Sequence, residues 1–224
     1  MDSQATGPRR SELPRLCLVG PHLGRHAGWV TTQSEVVAEL FERSGHPVLM
    51  TSSQRSPVLR PLAMARDLVR WRGRYDAVIL SIYGGRAFYA AELASRAAAA
   101  PQVHVLHGGL LPELAASRPS WVRRTLGRAS AVVAPSPFLA RTARDLGLEA
   151  RVIPNVLDLE GAPFRHRERL GEPLEILWVR TFHDLYRPEL AVEVLARLVR
   201  RGTAARLTLA GQDKGREAAC RELA

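Results

Sequence analysis

Apolar residues along the chain follow two rhythms that alternate. Residues 15–20 (RLCLVG), 47–53 (PVLMTSS), 76–85 (DAVILSIYGG), 102–109 (QVHVLHGG), 130–136 (SAVVAPS) and 150–156 (ARVIPNV) are short, nearly continuous apolar runs. Such runs suit strands buried on both faces. Residues 31–46, 59–75, 86–100 and 120–129 instead space their apolar positions for one helical face. The first of these helices is well marked. Thr32 and Glu35 have the spacing of a capping box, Val36, Val37, Leu40 and Phe41 share a face, and Gly45 stands where a C-cap would. A further helix opens at Pro112 after the strand ending on His107, Gly108 and Gly109, and another runs from Ser136-Pro137 to Gly147.

Alternating strands and amphipathic helices predict an α/β fold, a doubly wound parallel sheet over residues 15–160 behind a polar tail of residues 1–14. From Leu157 the pattern dissolves into charge, Gly and Pro, and residues 161–173 read as a linker. The grammar then restarts over residues 174–224 with strand, helix, strand and helix. Two strands are too few to close a sheet comfortably, so this part is expected to be the beginning of a second, incomplete domain.

Hydrophobic residues make up 46% of the chain and charged residues 24%, which predicts a packed core rather than disorder. The net charge is +10, but all except one of the 32 basic residues are arginines, spread along the whole length. That distribution does not mark a nucleic-acid arm, and no nucleic-acid partner is expected. Trp121, Val122 and Leu126 beside Arg123, Arg124 and Arg128 leave peripheral contact with anionic lipid open, against the simpler reading of a solvated helix with an apolar inner face. Cys17 and Cys220 form no metal or redox motif, the first residues are polar, and no apolar run reaches the length of a membrane span. A cytoplasmic location, at most peripheral to the inner membrane face, is expected.

In open α/β sheets ligands bind beyond the carboxyl ends of the strands. Four loops lie there. In GPHLGRHAGWVTT, Gly20, Gly24 and Gly28 let backbone approach a ligand ahead of a helix N-terminus, although the loop is neither a dinucleotide fingerprint nor a Walker loop. It is a phosphate site or an ordinary long connection. SIYGGRAF carries Gly84-Gly85, foremost a tight turn. His107 ends a strand beside two glycines, a place from which an imidazole can bond a ligand. Finally, Arg180 ends a strand, and Arg187 precedes Pro188, placed as the first residue of a helix. A cation there opposes the helix dipole, which favours either a bound diphosphate or two solvated arginines. No nucleophile elbow, zinc spacing or carboxylate pair is present, so those chemistries are disfavoured.

Taken in order, these stretches resemble the retaining nucleotide-sugar-dependent glycosyltransferases of family 4, which have the GT-B fold of two Rossmann-like domains. The resemblance runs from Leu16 onward through Gly28, SGHPVLMTSS with Gly45 and His46, His107-Gly108, APSPFLA, VIPNVLDL with Asn155 and Asp158, and LTLAGQDKG. It implies a GT-B-like chain with one complete Rossmann-like domain on the acceptor side and the beginning of a nucleotide-sugar-binding domain. The implied reaction moves a sugar, of hexosyl type, from a nucleoside diphosphate sugar to an acceptor with retained configuration and no obligatory metal. His107 becomes the catalytic candidate. Gly28, Gly108, Arg180 and Arg187 become donor-binding candidates, and Ser136 and Asn155 supporting-loop residues. Arg187 falls at or near the family's lysine, and Val179 replaces the glycine usual before the arginine. The acceptor would be a glycan, a lipid-linked molecule or a small molecule. The family's glutamate pair does not follow Gly211 before Ala224. The isolated chain is therefore expected to have little or no transferase activity alone, as the N-terminal portion of a longer enzyme or of a split one whose partner chain supplies the missing part. The alternative is a non-catalytic acceptor- or partner-binding half.

Overall fold

The computed structural model describes residues 13–24, 26, 31–157, 164, 166 and 168–224, and the chain divides into two units, Met1–Asp158 and Leu159–Ala224. Gly28 and Asp158 lie outside the described residues.

The first unit is built on six parallel strands, β1 (Leu16–Val19), β2 (Val48–Thr51), β3 (Ala77–Tyr83), β4 (Gln102–His107), β5 (Ala131–Ala134) and β6 (Arg151–Val152), in the order β2-β1-β3-β4-β5-β6. The chain steps outward from β1 to β2 and then returns past β1 to β3. The winding therefore reverses between β1 and β3, the point where open α/β sheets leave a crevice for ligands.

Among the described residues six α-helices cover the sheet: α1 (Gln33–Arg43), α2 (Arg60–Arg70), α3 (Phe88–Ala97), α4 (Leu110–Ser117), α5 (Pro119–Leu126) and α6 (Pro137–Asp145). The period of two along the strands sorts the core into two layers. Cys17, Val19, Val78, Leu80, Ile82 and Leu106 pack with Met64, Leu68, Phe88, Leu111, Val122 and Leu139 from the helices α2 to α6. Leu16 and Leu18 face the other way, toward Val37, Ala38 and Phe41 of α1.

Local chemistry accounts for the element ends. The capping box forms: Thr32 Oγ1 accepts from the Glu35 N–H, and Glu35 Oε2 accepts from the Thr32 N–H at 2.7 Å. Ser136 Oγ accepts from the Leu139 N–H, starting α6 with Pro137 at its first position. Helix α4 starts at Leu110, two residues earlier than its proline suggests; Pro112 sits in the first turn, where a missing N–H leaves no bond unmade. Strand β6 is only two residues long, since Pro154 has no N–H to continue the ladder. Gly84 is required by close approach: a Cβ there would fall inside the backbone of Leu110 and Leu111. His46 donates from Nδ1 to the Pro14 carbonyl at 3.1 Å and stands edge-on to Phe41, so this residue of the GH pair anchors the entry to β1.

The second unit pairs β7 (Leu174–Val179) in parallel with β8 (Ala205–Ala210), with α7 (Glu189–Arg200) and α8 (Glu217–Leu223). Trp178, Phe182, Val192, Leu207, Leu209 and Cys220 form its core. Leu177 and Val179, on the opposite side of β7, are 67% and 65% exposed. Asp213 Oδ1 accepts three backbone N–H groups, from Gly215, Arg216 and Glu217, and so starts α8.

Candidate functional site

His107 ends β4, opposite Tyr83 at the end of β3 in the parallel register. The two rings stack with centroids 5.0 Å apart and planes 20° apart. His107 is 9% exposed, and burial lowers its imidazole pKa to about 4, so the ring is neutral at pH 7 and offers one N–H donor and one acceptor. Burial, and then the negative charge of Glu35, push the Tyr83 phenol upward, keeping it protonated. Gly108 follows with φ +73°, a left-handed conformation that a side chain would strain, and turns the chain from β4 into α4.

On the α1 side, His107 lines a cavity of about 270 Å³ with Ser34, Val105, Val133, Asn155 and Val156. The segment carrying Asn155 is held from far away in sequence. Gln33 Oε1 accepts from the Val156 N–H at 3.0 Å, and Gln33 Nε2 donates to the Val156 carbonyl at 3.1 Å. The first residue of α1 thus reads both backbone groups of Val156 and sets Asn155 beside the cavity.

The loop after β1 is tied down by the capping acid itself. Glu35 Oε1 accepts from the Gly24 N–H at 2.9 Å while Oε2 accepts from Thr32. His22, 6% exposed, has its Nε2 2.9 Å from Ser34 Oγ. A Cβ on Gly20 would lie 3.1 Å from Ser81 Oγ, so the absence of a side chain lets β1 end close against β3. Beyond these two strand ends, at the winding reversal, lies a crevice of about 540 Å³ with Gly20, Ser81 and Tyr83 in its lining. Tyr83 therefore borders this crevice and stacks on His107.

In the second unit Arg180 follows β7, and its guanidinium lies over the Tyr186 ring, 4.2 Å from the centroid. Tyr186 precedes Arg187, so the stack gathers both arginines on one loop. Arg187 has φ +44°, the one non-glycine residue with positive φ among the described residues. The short helical turn Asp184–Tyr186 separates the two cations, and α7 begins at Glu189, two residues after Arg187. Glu189 and Asp184 both pair with Arg216. These ion pairs occupy the nearby carboxylates with a different arginine.

Among the residues expected at a site, His107, Gly108 and Asn155 gather at the carboxyl end of the first sheet, and Arg180 and Arg187 share one loop of the second unit. Ser136 acts as the N-cap of α6. Tyr83, Gln33 and Glu35 were missed by sequence reasoning. Only Glu35 carried a signal, as the acid of the capping box; the others depend on register and on long-range folding. Among the described residues no group of three or more His, Cys, Asp or Glu could hold a metal ion, and no helix is long and apolar enough to cross a membrane.

Solved structures share this architecture. The apo lipopolysaccharide outer core galactosyltransferase WaaB is 15% identical with a TM-score of 0.56, the alignment covering 93% of this chain and 64% of that one. A glycosyltransferase from Rickettsia africae ESF-5 is 15% identical with a TM-score of 0.62, covering 94% and 63%. The glycotransferase of kitacinnamycin is 14% identical with a TM-score of 0.52, covering 90% and 66%. This chain therefore spans somewhat less than two thirds of their length, and at such identity the likeness establishes the fold, GT-B-like with Rossmann-like units. No curated protein sequence matches. Residues 22–160 match the model of Glycosyltransferase Family 4, and the chain belongs to that family.

Proposed function

We propose that this chain takes part in moving a hexosyl group from a nucleoside diphosphate sugar to an acceptor hydroxyl with retention of anomeric configuration. The observation that carries the reading is the Arg180–Arg187 loop ahead of α7. When the bond from the anomeric carbon to the phosphate oxygen breaks, negative charge grows on the diphosphate. Two guanidinium groups and the N–H groups at the start of a twelve-residue helix favour that charge where it develops. These cations compensate the leaving group without a metal ion. A new bond forms between the acceptor oxygen and the anomeric carbon on the face the leaving group vacates, and the acceptor proton ends on the departing phosphate oxygen.

His107 contributes as a neutral imidazole. Its low pKa keeps it from acting as a cation, and it is placed to exchange hydrogen bonds with a sugar hydroxyl. Gly28 and Gly108 let backbone approach the donor, and the reaction takes place on the cytoplasmic side, with peripheral membrane contact where the acceptor is lipid-linked.

The test is a transfer assay with a panel of nucleoside diphosphate hexoses, reading the product anomer by proton NMR. A product with the donor's anomeric configuration supports the reading. An inverted product, or turnover unchanged in Arg180→Ala, sinks it.

A further inference from the structure

The crevice beyond β1 and β3 has a chemical character of its own. Its walls come from Pro57, Pro61 and Met64 on one side and Ala87, Ala90 and Ala91 on the other, and among the described residues no carboxylate lines it. Val58 and Tyr89 stand at its mouth, 76% and 57% exposed. Among the described residues the uncharged hydrogen-bonding side chains in the lining are Ser81, Tyr83 and, at the exposed mouth, Tyr89. Bare sugars present hydroxyls all round and require many such partners, so this lining suits them poorly.

Two arginines complete the wall, Arg60 and Arg86. Arg60 donates from Nε to the Gln54 carbonyl at 2.8 Å and from Nη2 to the Arg55 carbonyl at 2.9 Å. Those bonds fix the guanidinium without neutralising it, and its burial lowers its pKa, a sign that the charge is partly desolvated. Neither Arg60 nor Arg86 pairs with an acid among the described residues. An apolar crevice carrying uncompensated positive charge is complementary to a molecule with an apolar body and an anionic group.

We propose that the acceptor bound in this crevice is a single amphiphile, an apolar body with one anionic group held by Arg60 and Arg86. The proposal rests on the glycosyl-transfer reading only in calling the occupant an acceptor. Tyr83 connects the two: it lines this crevice and stacks on His107, which lines the neighbouring cavity.

The probe is decyl phosphate below its micelle threshold, titrated calorimetrically into the full chain. Inorganic phosphate, decyl glucoside and decyltrimethylammonium serve as controls, and vesicles of phosphatidylcholine with phosphatidylglycerol as a lipid-surface arm. The expected result is saturable one-to-one binding of decyl phosphate, tighter than every control. Arg86→Ala should weaken it roughly ten- to a hundredfold, the range for losing a charged hydrogen bond. Val58→Asp, at an exposed position that leaves folding intact, should weaken it likewise, and Arg200→Ala, in α7, should not. Equal binding of inorganic phosphate or of decyltrimethylammonium would overturn the proposal. So would vesicle binding without saturable monomer binding, or indifference to both crevice variants. A nucleoside diphosphate titrated into the same preparation separates the two readings. Nucleotide binding without decyl phosphate binding removes the acceptor class alone; the converse removes the transfer reading and leaves the crevice.

Discussion

His107 lies against Tyr83 with 5.0 Å between ring centroids, because β3 and β4 run parallel in a register that sets these two residues opposite one another at the carboxyl end of the sheet. The stack gives His107 two separable roles, as a packed ring and as a pair of nitrogens. His107→Phe keeps the ring and should hold stability within about 1 kcal/mol, as volume-conserving swaps do. It should still lower transfer activity by on the order of a hundredfold, the usual scale for one positioned proton-handling group. His107→Ala should lose activity and also roughly 2–4 kcal/mol of stability through the space left behind. Urea denaturation beside the transfer assay reads both effects.

Two of the buried imidazoles, those of His104 and His107, make the fold acid-sensitive. His104, fully buried with Nε2 3.0 Å from Gln102 Oε1, and His107 both have pKa values lowered by burial from 6.5 to about 4, His104 also through the charge of Arg128. Because the unfolded chain takes up protons first, stability is full above pH 6.5 and falls as the pH drops from 6.5 to about 4. Each imidazole accounts for roughly 2–4 kcal/mol, at about 1.4 kcal/mol per unit. Glu92 acts in a lower window. Despite an opposing desolvation, hydrogen bonds from Arg128, Thr125 and Arg96 hold its carboxyl at about 2, so its contribution is present above 4.5 and is lost toward 2. Denaturation midpoints measured down this pH range should fall in two stages. His107→Phe should shrink the first stage by about half, His104 still contributing, and leave the second.

The Gln33 clamp on Val156 spans 123 positions of sequence. Gln33→Ala removes both bonds and should cost about 1–3 kcal/mol. The local effect should be the clearer one, with amide exchange accelerated at Val156 and its neighbours while β3 and β4 remain protected.

Much of the first unit was legible because strong local chemistry and global packing agree. Thr32 and Glu35 mark the start of α1, Ser136 and Pro137 that of α6, and unbroken apolar runs mark the strands, of which β1 is buried throughout while β6 at the sheet edge is exposed. What escaped was relational. Nothing near Tyr83 announces His107 as its neighbour, since that follows from the register of two strands, and Gln33 looks like an ordinary polar residue in the first helical turn. Pro112 misplaced the start of α4 because a proline is tolerated throughout a first turn, and the two-residue β6 was overdrawn because a strand's apolar run says little about where its ladder stops. At the candidate site, His107 and the two arginines stood out by position at element ends. The strain at Arg187 did not, because left-handed geometry is unannounced when the residue is not glycine.

That strain is itself testable. A non-glycine residue at φ +44° costs about 1–2 kcal/mol in backbone energy. Arg187→Gly should therefore raise the melting temperature of the second unit relative to Arg187→Ala, while both weaken nucleoside diphosphate binding. Equal stability of the two variants would show that the conformation relaxes freely.

The most direct measurement is equilibrium binding of nucleoside diphosphates and their sugars to the purified chain, compared with Arg180→Ala and Arg187→Ala. Saturable binding of at least one nucleoside diphosphate is expected, weakening about tenfold or more in each variant, as loss of a charged hydrogen bond implies. Binding that is absent throughout the panel, or unchanged when either arginine is removed, would contradict this expectation.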